Sequence, residues 1–220
     1  MNQNQGFLQK LQNKFGKYAI RSLMMYVVGA MGVVFFADFL LLPAGILPVS
    51  LTSLLAFNTA AIMQGEVWRV ITFIAIPPPA GPIFIVFALY LYMLIGSSLE
   101  GQWGALKFNL FYLCGMIGTI IAGLITGFAT SHFLNLSLFL AFAMLNPNFE
   151  LRLFFILPVK MKWLALLNVI FLVFEFILNT WPGRAALIVS VINVILFFGK
   201  DFINRIQQGH RRAQWKRSIK

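Results

Sequence analysis

The stretch ALKFNLFYLCGMIGTIIAGLITGF, Ala105 to Phe128, is a long apolar run with one charged side chain, Lys107, near its start. A helix needs about 20 predominantly apolar residues to cross a bilayer, because each residue rises only about 1.5 Å. The stretch therefore predicts a membrane-spanning helix. Gly115, Gly118 and Ala122 recur at intervals of three and four residues, a spacing that lets another helix approach closely. We expect a central helix packed on its neighbours rather than a homodimer face.

The composition of the whole chain also indicates a membrane protein. Of its 220 residues, 60% are hydrophobic and 10% are charged, whereas soluble domains carry about 25% charged residues. One globular core cannot hide that much apolar surface, so lipid must solvate part of it. The single cysteine, Cys114, excludes an intrachain disulfide framework. No phosphate-binding loop, zinc spacing or haem motif occurs, so we expect neither a metal nor a cofactor.

Five further apolar runs flank the central one, and together they predict a six-helix bundle. These five predicted spans are Ser22 to Leu42, Pro82 to Leu94, Ser131 to Asn146, Trp163 to Asn179 and Ala185 to Gly199. A semi-apolar connection, Pro43 to Gly81, separates the first span from the second. It is either an amphipathic element in the outer membrane interface or a loop packed against the bundle. The connection Pro147 to Trp163 is expected to lie along the cytoplasmic interface.

Basic residues give the predicted orientation of the six spans. The chain carries 17 Lys and Arg residues and a net charge of +11. With six spans, all of these cations except Arg69 and Arg184 fall on one side, which the positive-inside rule assigns to the cytoplasm. Residues 1–21 and 200–220 are then basic cytoplasmic tails around a membrane domain of residues 22–199. The tails suit anionic lipid, and no pattern typical of nucleic-acid binding accompanies them. We expect a bacterial cytoplasmic membrane.

The first connection contains the motif GEVWRVITF, Gly65 to Phe73, in which Trp68 and Arg69 precede Thr72 by four and three residues. An arginine in an apolar setting needs buried acceptors, because an unpaired buried charge is strongly destabilising. We therefore expect these side chains to anchor the connection.

A second motif, IGSSLEGQWGALKFNLFYL, runs from Ile95 to Leu113 and contains Gly96 and Glu100 four residues apart. In order and spacing, the two motifs resemble those of the rhomboid superfamily, over roughly residues 20–200. The resemblance implies an all-α, six-helix rhomboid-like membrane bundle with a long interfacial first loop. That superfamily includes intramembrane serine proteases and inactive members.

The residues that the resemblance would make catalytic are mostly absent. The family's nucleophile lies in Gly-x-Ser-Gly at the start of the fourth helix. Here Asn135 and Leu138 stand in place of the glycines on either side of Ser137. The resemblance implies a base histidine in the sixth helix, and that segment has none. It also implies oxyanion donors in the second helix, at positions that read Phe84 and Ala88 here.

No other residue in the sequence is placed to act as a general base for Ser137. A serine hydroxyl needs a base within about 3 Å. His132 precedes Ser137 by five residues, which turns the two side chains about 140° apart on a helix. His210 and every lysine are expected on the cytoplasmic side. We therefore interpret Ser137 as a packing serine that carries out no catalysis.

Two acidic residues interrupt apolar runs, Asp38 in the first span and Glu175 in the fifth. Ionisable groups inside a membrane are costly and often functional. We expect these carboxylates either to form ion pairs, with Arg69 and Arg184 as the obvious partners, or to be exposed at the membrane interface. Asp38, Glu175 and Asn135 are also candidates to contact a client helix.

These observations predict a rhomboid-like pseudoprotease that binds transmembrane segments of client proteins without cleaving them. Its expected partners are the bilayer and those segments. One alternative is an active intramembrane serine endopeptidase that uses Ser137 with an unorthodox base. The other is a small transporter that uses Glu175 and Asp38.

Overall fold

The computed structural model describes residues 16–153, 157–178, 180–181, 183–184, 187–189 and 191–195. Its long helices are connected by short helices and by two small strand pairs. The helices are α1 (Leu23–Leu41), α2 (Leu51–Leu55), α3 (Thr59–Met63), α4 (Arg69–Thr72), α5 (Pro82–Trp103), α6 (Ala105–Thr126), α7 (His132–Leu145) and α8 (Met161–Leu178). The strands are β1 (Phe57–Asn58), β2 (Phe128–Ala129), β3 (Glu150–Leu153) and β4 (Leu157–Lys160).

Four helices in the described part of the chain are long and apolar enough to cross a membrane. They are Gly16–Leu41, which contains α1, and α5, α6 and α8. The protein is thus a mostly helical, multi-pass membrane protein, as the sequence predicts. Helix α7 is apolar but shorter. The predicted sixth span, residues 185–199, lies partly outside the described residues, and residues 187–189 and 191–195 within it are helical.

Helix α5 is longer than predicted. It continues past Leu94 to Trp103 and ends only where Gly104 adopts a positive φ of 82°. Gly104 takes this conformation readily because it has no Cβ. The polar residues just before it do not end the helix. The first half of the second motif, with Gly96 and Glu100, is therefore part of α5, and its second half begins α6 at Ala105.

Gly96 and Glu100 connect α5 to α1. A Cβ at Gly96 would lie 2.4 Å from the Cβ of Met24 on α1, so only glycine permits this crossing. One turn further on, Glu100 Oε1 accepts a hydrogen bond from the backbone N–H of Ser22 at 2.7 Å. That N–H precedes the first turn of α1, so the carboxylate satisfies a donor that the helix leaves free. The two residues fix the start of α1 against α5.

Helix α6 is central, as its small residues predict. A Cβ at Gly115 would come within 2.4 Å of Leu134 on α7, and one at Gly118 within 2.4 Å of Val189. A Cβ at Gly123 would lie 2.6 Å from the ring of Phe57 in the first connection. The small face of α6 is thus covered by other parts of the same chain.

The first connection packs onto the end of α6. Strand β1 pairs antiparallel with β2, which follows α6 directly. Phe57 and Phe73 are both buried, and their rings meet edge to face at 5.9 Å between centroids. The segment therefore packs against the bundle, and its expected location in the outer membrane interface stays a prediction.

The connection between α7 and α8 contains strands, which were not predicted from the sequence. It contains an antiparallel hairpin, in which Glu150 pairs with Lys160 and Leu151 with Val159, and its expected location at the cytoplasmic interface stays a prediction. Leu151 is buried and Lys160 is exposed. The alternation of apolar and polar residues in ELRL suits a strand with one buried face.

Candidate functional site

A cavity of about 560 Å³ lies between α5, α7 and α8. Its walls are mostly apolar and include Phe84 and Ala88 of α5, Phe139 of α7 and Phe171 of α8. Leu151 of the hairpin also lines it, as does Pro78 of the first connection. The cavity therefore reaches from the connection that precedes α5 to the hairpin that precedes α8.

Helical periodicity explains which side chains line this cavity. On α7 they are His132, Asn135, Leu136 and Phe139, and on α8 they are Leu164, Leu167, Asn168, Phe171 and Glu175. Both sets follow the spacing of three and four residues that defines one face of a helix. The polar members of these faces therefore point towards the same space although they are far apart in the sequence.

Most of the polar groups that line the cavity lie at one end of it, and Asn168 lies two helical turns further along α8. His132 Nε2 lies 3.6 Å from Glu175 Oε1, and Tyr92 and Asn135 line the cavity beside them. These four residues also line a second cavity of about 480 Å³, next to the first connection. Glu175 stands three residues before the end of α8 and His132 is the first residue of α7. The cluster thus lies near the ends of two helices.

Several buried side-chain atoms, Glu100 Oε2 and Asn193 Oδ1 among them, have no hydrogen-bond partner in the described part of the chain. Three of these atoms are oxygens of residues that line the cavity. They are Asn135 Oδ1, Asn168 Oδ1 and Glu175 Oε2. An unsatisfied buried acceptor costs about 1–3 kcal/mol, and more when it is charged. Native proteins tolerate few such groups, and each one calls for an explanation such as a binding role.

Ser137 lies on the opposite side of α7. Its side chain is fully buried, at 0% exposure, and its hydroxyl donates to the carbonyl of Leu134 at 2.6 Å. The residues that line the cavity from α7 are offset from Ser137 around the helix, and Ser137 is not among them. The structure places Leu138, which follows it, in the same buried core.

Trp68, Arg69 and Thr72 anchor the first connection. Arg69 donates to Glu66 and to the carbonyls of Ser53 and Ala56, the latter two at 2.6 and 2.8 Å. The Thr72 hydroxyl donates to Leu55 O at 3.0 Å, and the Trp68 indole donates to Leu54 O at 3.4 Å. These contacts satisfy carbonyls around the end of helix α2, which has no further turn to accept them. The need of Arg69 for buried acceptors, predicted from the sequence, is confirmed.

The ion pairs predicted for Asp38 and Glu175 are wrong. Asp38 accepts from the backbone N–H groups of Leu51 and Thr52 at 2.6 and 3.0 Å, and so caps the start of α2. A carboxylate at a helix N-terminus is stabilised by those free donors and by the helix dipole. Arg184 donates to the carbonyl of Ile177 at 3.0 Å, and Glu175 has His132 beside it. The sequence hypothesis overlooked backbone amides as partners.

The structure thus separates the residues singled out from the sequence. Asn135 and Glu175 meet at the cavity, and Phe84 and Ala88 form part of its wall. Asp38 belongs to the packed connection instead. Sequence reasoning missed Asn168, although it precedes Glu175 by seven residues, the spacing of two helical turns. That spacing was the available signal.

Among the residues described, no group of three His, Cys, Asp or Glu side chains could hold a metal ion. No protein-family model matches the chain, and no curated protein matches it.

Proposed function

We propose that this protein is a rhomboid-like pseudoprotease, which holds transmembrane segments of client membrane proteins without cleaving them. One observation carries the proposal. The cavity between α5, α7 and α8 is apolar along its walls and polar at one end, whereas the nucleophile-like Ser137 is buried away from it.

The shape and chemistry of the cavity suit a helix better than a soluble substrate. Its lining extends from Pro78 to the hairpin residue Leu151, and many outward-facing side chains of α8, such as Phe171 and Phe174, are apolar and exposed. In lipid, association of helices depends on packing and on polar contacts between them, because lipid is as apolar as leucine. A groove with apolar walls and a few polar groups supplies both.

The first alternative, an active serine endopeptidase, finds no support at Ser137. Its hydroxyl donates to the carbonyl of Leu134 within its own helix. The second alternative, a transporter that uses Glu175 together with Asp38, is disfavoured because Asp38 is occupied by two backbone amides.

We also propose that both termini face the cytoplasm of a bacterial cell, since the basic residues then lie inside. Single cysteines at positions 2 and 220 should resist a membrane-impermeant thiol reagent in intact cells. Labelling of either cysteine would contradict this orientation and the six-span count.

The test of client binding uses a photocrosslinking amino acid in place of Phe171, which lines the cavity and is 59% exposed. The matched control replaces Phe36 of α1, which is 51% exposed on another part of the bundle. Each variant is reconstituted in liposomes with a panel of single-span reporter peptides. We expect stronger crosslinking from position 171, with the uncrosslinked reporter recovered at full mass.

Equal crosslinking from the two positions would contradict a client-binding cavity. Reporter fragments that disappear when Ser137→Ala is introduced would favour the protease instead.

A further inference from the structure

The cavity holds a set of unpaired groups that all accept hydrogen bonds. Asn135 Oδ1, Asn168 Oδ1 and Glu175 Oε2 come from two helices, α7 and α8, and none has a partner among the described residues. An amide can turn to present its nitrogen or its oxygen, but an ionised carboxylate can only accept. Glu175 therefore fixes the chemistry that the set can bind, namely a donor and preferably a cation.

We propose that the cavity selects transmembrane helices that carry a lysine or arginine about one turn from one end, and that Glu175 binds this side chain. This rests on the proposed function, because it names the class of client that the same cavity holds. The depth follows from the position of Glu175, three residues before the end of α8, which corresponds to about 4.5 Å along the helix.

The groups around Glu175 fit this assignment. His132 Nε2 lies 3.6 Å from Glu175 Oε1, which leaves Glu175 Oε2 without a partner. The terminal torsion of a glutamate is soft, so rotation of the carboxylate presents this oxygen to the cavity. Arg184 donates from Nη2 to the carbonyl of Ile177 and lies over the rings of Phe176 and Trp181. Its buried Nε makes no hydrogen bond to Glu175 or to any other described residue. A client cation would therefore find an acceptor that no arginine of the described chain occupies.

A lipid could also bring an ammonium group, as in phosphatidylethanolamine, but its phosphate would come with it. That phosphate would be brought close to the Glu175 carboxylate and would be repelled. A lysine or arginine side chain brings no such anion, and its long apolar stem packs along the apolar wall while the charged head reaches the end of the membrane. The charge pattern therefore favours a protein helix as the occupant.

The assignment also indicates what kind of helix is held. In the proposed orientation, the end of α8 near Glu175 faces the outside of the cell. A helix with a cation at that end runs against the positive-inside rule, and such a cation is costly in the membrane until it finds a partner. Clients of this kind are poorly anchored or unassembled membrane proteins.

The experiment compares two synthetic reporter helices in phosphatidylcholine liposomes. One has lysine one turn from its end, and the other has norleucine there, which keeps the stem without the ammonium group. Binding is titrated through crosslinking at position 171. We expect the lysine reporter to bind about tenfold more tightly, which corresponds to one charge-assisted hydrogen bond. Glu175→Gln, which keeps the shape of the side chain, should remove this preference.

Glu150→Gln is the matched control, because Glu150 is an exposed carboxylate on the hairpin at the far end of the bundle. It should leave the lysine preference unchanged. A second wild-type titration in liposomes that contain phosphatidylethanolamine should also retain the preference. If that lipid abolishes it, the site takes a lipid ammonium group and the proposal is wrong.

The outcomes separate this inference from the function on which it rests. If wild type holds both reporters equally, and more strongly than the Phe36 control position does, client binding stands and selection by Glu175 fails. If neither reporter is held more strongly at position 171 than at position 36, the proposed function itself fails. A preference that survives Glu175→Gln would overturn the role of this residue.

Discussion

The packed first connection and the cavity between α5, α7 and α8 both contain charged and polar groups, but the two regions differ in how many of these groups have hydrogen-bond partners. In the connection, Arg69 donates to Glu66 and two carbonyls, and Asp38 accepts from two backbone amides. At the cavity, the buried oxygens of Asn135, Asn168 and Glu175 lack partners within the described chain. The first region has its hydrogen bonds completed by the fold, and the second does not.

The unpaired oxygens at the cavity are candidate binding groups because they also line an open space, whereas an unpaired atom elsewhere, such as Glu100 Oε2, does not by itself indicate binding. A satisfied buried network stabilises one conformation, and removing a member leaves its partners unpaired. An unsatisfied group lowers the stability of the empty protein, and natural proteins tolerate such groups mainly where function requires them. The same residue types thus have opposite expected effects when they are mutated in the two regions.

The largest effect is expected in the satisfied region. Arg69→Ala removes a buried cation and leaves Glu66 and the carbonyls of Ser53 and Ala56 without their donor. Breaking a buried pair in this way typically costs about 3–5 kcal/mol. We expect the melting temperature in detergent to fall sharply. Arg21→Ala is the matched control, because Arg21 is exposed, and it should melt close to wild type. Equal melting of the two variants would contradict a structural role for Arg69.

Much of the satisfied region was predictable from the sequence, and the reason is local. Trp68, Arg69 and Thr72 act on carbonyls only 13 to 17 positions earlier in the chain, so one motif contains most of the donors. The apolar runs also predicted the central helix and its neighbours, since length and hydropathy decide membrane insertion.

The cavity was not predictable in the same way. Tyr92, Asn135 and Glu175 meet only after three helices pack, and hydropathy says nothing about which helices are neighbours or how each one is rotated. The ion pairs expected for Asp38 and Glu175 were wrong for a related reason. A sequence shows the charged side chains but not the backbone amides that a helix end exposes.

At the cavity, we expect a mutation of an unpaired polar group to have a smaller effect on stability, and one of opposite sign. Asn168→Leu replaces an amide whose buried oxygen is unpaired with an apolar side chain of similar size. We expect the free energy of unfolding to stay the same or rise by up to about 1 kcal/mol, because a desolvated acceptor disappears.

The control for Asn168→Leu is Thr72→Val, which removes a completed hydrogen bond to Leu55 O. It should lower the free energy of unfolding by about 1 kcal/mol. Both variants can be followed by thermal unfolding in detergent. A loss of stability in Asn168→Leu as large as in Thr72→Val would show that Asn168 is satisfied in the folded protein, and the contrast between the two regions would not hold there.

The smallest effect on stability is expected from mutation of Ser137. Its hydroxyl has a hydrogen-bond partner, although its helix α7 also lines the cavity. Its hydroxyl donates to Leu134 O and is inaccessible, and that carbonyl can still accept a helical hydrogen bond when the hydroxyl is removed. Ser137→Ala should therefore leave stability within about 0.5 kcal/mol of wild type. It should also leave chemistry unchanged, because a nucleophile needs a base and an accessible position. We expect no fluorophosphonate adduct on wild type and the same reporter recovery from both proteins in liposomes. An adduct that is lost in Ser137→Ala, together with reporter cleavage, would show that α7 rotates to expose Ser137 and that the protein is a protease.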